Sequence, residues 1–160
     1  MELKVSINME FSYHPSQRAL FADGSLVKKW KNAYSDMFDE HDYRLAISQH
    51  GHHFFEWLSA VLLREATGYH SLIEKYETKK HVRKVAVFKE TVNPDVFELA
   101  MSHPAGLSDL FVYRPGTHDW FFCEVKGGVD TLSSPQIEMH KTLELRSGRK
   151  VRVLCLRALA

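Results

Sequence analysis

Two runs rich in aromatic and β-branched residues, Leu110-Phe111-Val112-Tyr113-Arg114 and Asp119-Trp120-Phe121-Phe122-Cys123-Glu124-Val125-Lys126, flank the loop Pro115-Gly116-Thr117-His118. Such runs around a short Pro-Gly loop predict a β-hairpin. If Arg114 and Asp119 close the loop as partners, counting back along both strands sets Asp109 opposite Glu124. Opposed residues share a face with Cβ atoms about 5 Å apart, and the period of two along a strand puts Lys126 on that face as well. Two carboxylates and an amine therefore converge.

Opposed carboxylates repel, so a sheet that needed only stability would rarely pair them. A divalent cation reverses the sign of that interaction. Oxygen ligands suit Mg²⁺ or Mn²⁺, and Mg²⁺ is commonly held by one or two carboxylates with waters and substrate phosphate completing its shell. Asp109 followed by Glu124-Val125-Lys126 thus predicts metal-assisted phosphodiester hydrolysis. The competing reading is a half-exposed hairpin whose Glu124 and Lys126 pair as surface charges.

A longer stretch bears on that choice. Gly106-x-x-Asp109, Glu124-Val125-Lys126-Gly127, Asp130-x-Leu132-Ser133 and Gln136 together resemble the PD-(D/E)XK nuclease superfamily, and within it the VRR-NUC branch. The resemblance spans residues 106–156, about a third of the chain. It implies a restriction-endonuclease-like α/β fold, a mixed β-sheet core of order αβββαβ flanked by helices. It also implies Asp109 and Glu124 as metal ligands, with the Val125 carbonyl as a further one. Lys126 would orient water or stabilise the transition state. Ser108 stands where the family usually has proline, which bears on loop stiffness rather than on metal binding.

The helix before the sheet commonly supplies a further glutamate in this superfamily. Residues 52–67 form the clearest helix, apolar at Phe54, Phe55, Trp57, Leu58, Val61, Leu62 and Leu63, with Gly68 placed to end it. Glu56 fits the glutamate's place better than Glu65, although a first-turn glutamate is also what a helix dipole favours. Gln136 is equally double. Ser133-x-x-Gln136 is a capping box, while the resemblance turns Gln136 towards a metal-bound water.

The remaining elements can be read in order. Residues 1–23 give one short strand or extended arm, and residues 25–38 a helix with Lys28, Lys29 and Lys31 beside Leu26, Trp30 and Tyr34. Nothing in residues 1–47 resembles the family, so they are read as an N-terminal extension and residues 48–160 as the nuclease domain. Trp30 and Tyr34 are candidates for an interface. His50, His52 and His53 invite a metal reading, but histidines at a helix entrance without cysteines are more often capping or solvated groups. Residues 69–76 alternate as a strand. The helix over 79–91 opens on Lys79, Lys80, Arg83 and Lys84, cations ill placed for its dipole, which makes them candidates for DNA contact. A short helical turn follows Pro94. A helix from 133 to 146 and a strand from 150 to 156 form a crossover, so that last strand should run parallel to its neighbour. The sheet is then mixed, with helices on both sides.

At 160 residues and 44% hydrophobic, one domain with a full core is expected. A formal net charge of +1 does not announce a nucleic-acid binder, so contact with DNA would rest on local patches. Cys123 and Cys155 fall in expected buried strands and should be reduced thiols, which suits an intracellular protein, cytoplasmic or nucleoid-associated. No run spans a bilayer and no signal peptide opens the chain. The expected partner is duplex or branched DNA in repair or recombination, and compact relatives suggest a homodimer. Two other classes stay open: a noncatalytic nucleic-acid-binding module with a nuclease-like fold, and an assembly or adaptor protein.

Overall fold

The computed structural model describes residues 9–49, 51–73, 76, 80–102, 107–128 and 131–160. The chain runs β1 (Met9–Tyr13), α1 (Pro15–Ala22), α2 (Ser25–Ala33), α3 (Glu40–Ser48), α4 (Phe54–Thr67), β2 (His70–Ile73), α5 (Val82–Thr91), α6 (Pro94–Ser102), β3 (Leu110–Tyr113), β4 (Trp120–Gly127), α7 (Ser134–Ser147) and β5 (Arg152–Ala158). One mixed sheet holds the strands in the order β1-β5-β4-β3-β2. The β2–β3 and β3–β4 pairs are antiparallel, whereas β4–β5 and β1–β5 are parallel, as the α7 crossover requires.

The hairpin register is the one read from the sequence. Leu110 faces Cys123 and Tyr113 faces Trp120, and the Arg114 amide donates to the Asp119 carbonyl at 2.9 Å across the loop. Strand alternation then divides the side chains between two cores. Leu110, Val112, Phe121, Cys123 and Val125 enter the core built with Phe21, Trp30, Phe54 and Trp57, while Phe111, Tyr113, Trp120 and Phe122 enter the one built with Phe88, Val96, Ala100 and Leu143. Helices α1–α4 thus cover one face of the sheet and α5–α7 the other. Burying each large apolar side chain contributes about 1.5–3 kcal/mol, so β3 and β4 are held from both sides.

Residues 1–47 were read as an N-terminal extension of unknown role, and their described part, residues 9–47, packs into the same sheet and core. β1 is an edge strand of the same sheet, with Met9 opposite Leu154 and Tyr13 opposite Ala158. Phe38 from the segment after α2 stacks on Trp57 of α4 with ring centroids 3.9 Å apart. Trp30 is buried against Phe21, so it offers no interface, and the Tyr34 hydroxyl donates to Glu65 at 2.7 Å. Residues 9–48 therefore complete one core. The expected arm at 3–7 lies outside the described residues apart from its continuation in β1, and residues 15–22, read as irregular, are helical.

α4 sits centrally, as its all-round apolar surface implied, with Trp57, Leu58, Ala60 and Leu63 almost fully buried. Gly68 ends it at φ 78°, a left-handed conformation that costs a glycine nothing. Its entrance abuts β4, and this is why Gly127 has no side chain. A Cβ there would fall 2.6 Å from a ring carbon of Phe55.

Candidate active site

β3 begins just after Asp109, so the Asp109 carboxyl is free to turn back onto the neighbouring strand. Its Oδ2 accepts a hydrogen bond from the Val125 amide at 2.8 Å. That contact continues the β3–β4 ladder by one side chain and fixes Asp109 beside Glu124. Glu124 is 5% exposed. Val125 was expected to offer its carbonyl; it is the amide that reaches the pair.

Glu124 is held from α7. Gln136 Nε2 donates to Glu124 Oε1 at 2.8 Å, and His140 Nε2 lies 3.7 Å from Oε2. Gln136 and His140 stand four residues apart on one helical face, which is how one helix reaches both oxygens. Gln136 fills the expected capping role, because the same side chain accepts from the Ser133 amide at 2.9 Å through its Oε1, while its turn towards a metal-bound water stays an expectation. Capping fixes the amide so that its nitrogen points at Glu124. Lys126 Nζ lies 3.9 Å from Glu124 Oε1. Leu107, Glu124, Lys126, Thr131, Ser133, Pro135 and Gln136 line an open groove of about 510 Å³.

Burial raises the Asp109 carboxyl, and the neighbouring Glu124 raises it further, to about 8 from the ordinary 3.8; Glu56 adds a smaller push in the same direction. Glu56 is thus close enough for its charge to be felt. Among the described residues, however, no group of three or more His, Cys, Asp or Glu side chains is already gathered as it would be to hold a metal ion, Glu56 with Asp109 and Glu124 included. The zinc reading of the histidines gains nothing either. His53 occupies the position before α4 at φ 71° with its ring on Gln49, His52 is exposed, and His50 lies outside the described residues.

The basic group at the start of α5 is where expectation and structure part most clearly. Lys84 is 1% exposed; its Nζ donates to the Ile73 carbonyl at 2.7 Å and pairs with the buried Asp42. A buried ammonium cannot meet a phosphate backbone, so Lys84 is corrected from a DNA contact to a core ion pair. Arg83 donates to Asp39 at 2.7 Å and to the Met37 carbonyl at 3.3 Å, which ties α5 to the start of α3. Burial pushes Asp39 up, but the Asp42 amide and Arg83 outweigh it and hold Asp39 at about 2. Lys80 is exposed, and Lys79 lies outside the described residues. Lys31 is likewise spent on Glu40, at 2.9 Å.

The state of Asp109 has a consequence for stability. Between 3.8 and about 8 the folded protein binds a proton there that the unfolded chain has released. Stability from this group is therefore full below the lower value and is lost as pH rises towards the upper one. Thermal melts in EDTA should show the midpoint falling across that window, and Mg²⁺ should restore it more near pH 8 than near pH 5, because a cation replaces the proton. A midpoint indifferent to pH would mean that Asp109 ionises freely.

Compared with known proteins, the chain matches no family model, no curated protein and no solved structure. Among the described residues no helix is long and apolar enough to cross a membrane, and both cysteines are free, Cys123 buried and Cys155 half-buried.

Proposed function

We propose that this chain is a divalent-metal-dependent nuclease that hydrolyses phosphodiester bonds in DNA, with Asp109 and Glu124 as its metal ligands and branched DNA as its expected substrate. One observation carries the reading: a buried carboxylate, Glu124, and a half-buried one, Asp109, lie side by side at a groove lined by Glu124, with Asp109 held up to about 8 and Lys126 alongside. A fold gains nothing from such a pair until a cation or a proton joins it. The donor set suits Mg²⁺ or Mn²⁺, hard cations that accept few protein oxygens.

A bound cation would supply an activated water and neutralise charge on the scissile phosphate. The protein's own part is positional. Asp109 gives up its proton and keeps its place through the Val125 amide. Gln136 and His140 fix the Glu124 carboxylate, and Lys126 steadies the phosphate where negative charge develops. Glu56 adds negative charge at the same end of the sheet.

A second reading, the noncatalytic nucleic-acid-binding module, is favoured by the partners Glu124 already has: Gln136 donates to one of its oxygens and His140 lies 3.7 Å from the other. Turnover separates the two. End-labelled four-way junction, flap, single-stranded and duplex DNA, each with Mg²⁺, Mn²⁺ or EDTA, should be cut only with metal and fastest when branched. DNA that binds and survives in every metal would favour the module.

A further inference from the structure

The N-terminal helices bring a cation to the end of β4. Arg18 is exposed on α1, with its guanidinium carbon 4.9 Å from the centre of the Phe55 ring and 5.9 Å from that of Phe54. Phe55 is wedged in turn against Gly127, where a Cβ would come within 2.6 Å of the ring. Gly127 directly follows Lys126. A continuous stack therefore runs from Arg18 through Phe55 to the Gly127 backbone on the α1–α4 face of β4, across the end of the strand from the Lys126 side chain.

The charges around it sharpen the contrast. Lys31, Arg44, Arg64, Arg83 and Arg157 each pair with a carboxylate. Arg18 is the only charged side chain of α1, and among the described residues no carboxylate pairs with it. A guanidinium seated over an aromatic ring keeps its N–H donors for an oxyanion and loses less freedom on binding than a mobile lysine would. Phosphate contacts of this kind fix the register of a nucleic acid without reading its sequence.

We propose that Arg18 binds a backbone phosphate next to the one at Lys126, so that the DNA strand crosses the end of β4 over Phe55. This rests on the nuclease reading and adds to it a positioning residue outside the carboxylate site. The test is binding of labelled branched DNA to the whole chain in Ca²⁺ over a range of salt, with cleavage in Mg²⁺ measured in parallel. Arg18→Ala should weaken binding roughly tenfold and lower the slope of log K against log salt by about 1, with kcat at saturation unchanged. Arg18→Lys should keep the slope, and Phe55→Leu should weaken binding while leaving the slope alone. Arg18→Ala with wild-type affinity and slope overturns the Arg18 contact while leaving the nuclease standing. Wild-type protein that neither binds nor cuts DNA overturns both.

Discussion

Glu124→Ala is expected to lower metal-dependent cleavage by on the order of a thousandfold or more while the chain stays folded. Removing one of two carboxylates takes away half of the proposed ligand set and the anchor of Gln136 and His140. The sharper variant is Glu124→Gln. It keeps the shape of the side chain and an oxygen for Gln136 Nε2, yet removes the charge that opposes Asp109. Activity should fall as far as in the alanine variant, while stability without metal near pH 8 should rise by roughly 1 kcal/mol. Opposite movements of activity and stability are what distinguish a site that stores repulsion from an ordinary buried ion pair. Cleavage assays and EDTA melts on the same preparations read both. Wild-type cleavage by either variant would place the chemistry elsewhere.

Lys84→Ala should cost about 3–5 kcal/mol, because it leaves the Asp42 charge buried with only the 3.5 Å contact to Arg83 to oppose it. Against a typical total of about 5–15 kcal/mol, that is enough to unfold much of the population. Asp42 is 3% exposed, and its burial already pushes its carboxyl above the ordinary value although Lys84 lies beside it. Lys84→Met should be nearly as damaging, since it keeps the volume but not the charge. Combining it with Asp42→Asn should recover much of the loss, because both charges then leave together. Urea midpoints measure this directly. A surface lysine would behave differently: Lys84→Ala would leave the midpoint alone and weaken DNA binding instead.

These two residues also mark what the sequence made legible. The Asp109–Glu124 juxtaposition could be read because it depends on local counting: a short loop, two strands and a period of two fix which residues meet. The Gly68 stop and the Ser133 cap were legible for the same reason. Lys84 was not, because the partner that draws it inside sits on α3, a helix the sequence reading had not distinguished, and a lysine in a basic run looks solvated until that partner is placed. β1 itself was not read as a strand, since among the described residues its one neighbour in the sheet is β5, far along the chain. Trp30 looked available for an interface because Phe21, which covers it, lies in a stretch read as irregular. His140 had a signal that was not used. It stands one helical turn beyond Gln136, so a side chain that reaches Glu124 from one turn should be followed by another from the next. Glu56 shows the limit from the other side: the helix was read correctly, but only the position of its first turn against the sheet brings its charge within reach of Asp109.

The parallel pairing of β1 with β5 fixes an order of events during synthesis. Residues 9–13 leave the ribosome first among the described strands, yet their one neighbour among those strands, residues 152–158, is made last of them. The hairpin that brings Asp109 to Glu124 is built from strands adjacent in sequence and closes without waiting for either end. The repulsive pair is therefore assembled early. The helix that carries Arg18 follows β1 directly, and so is joined to the strand whose partner comes latest.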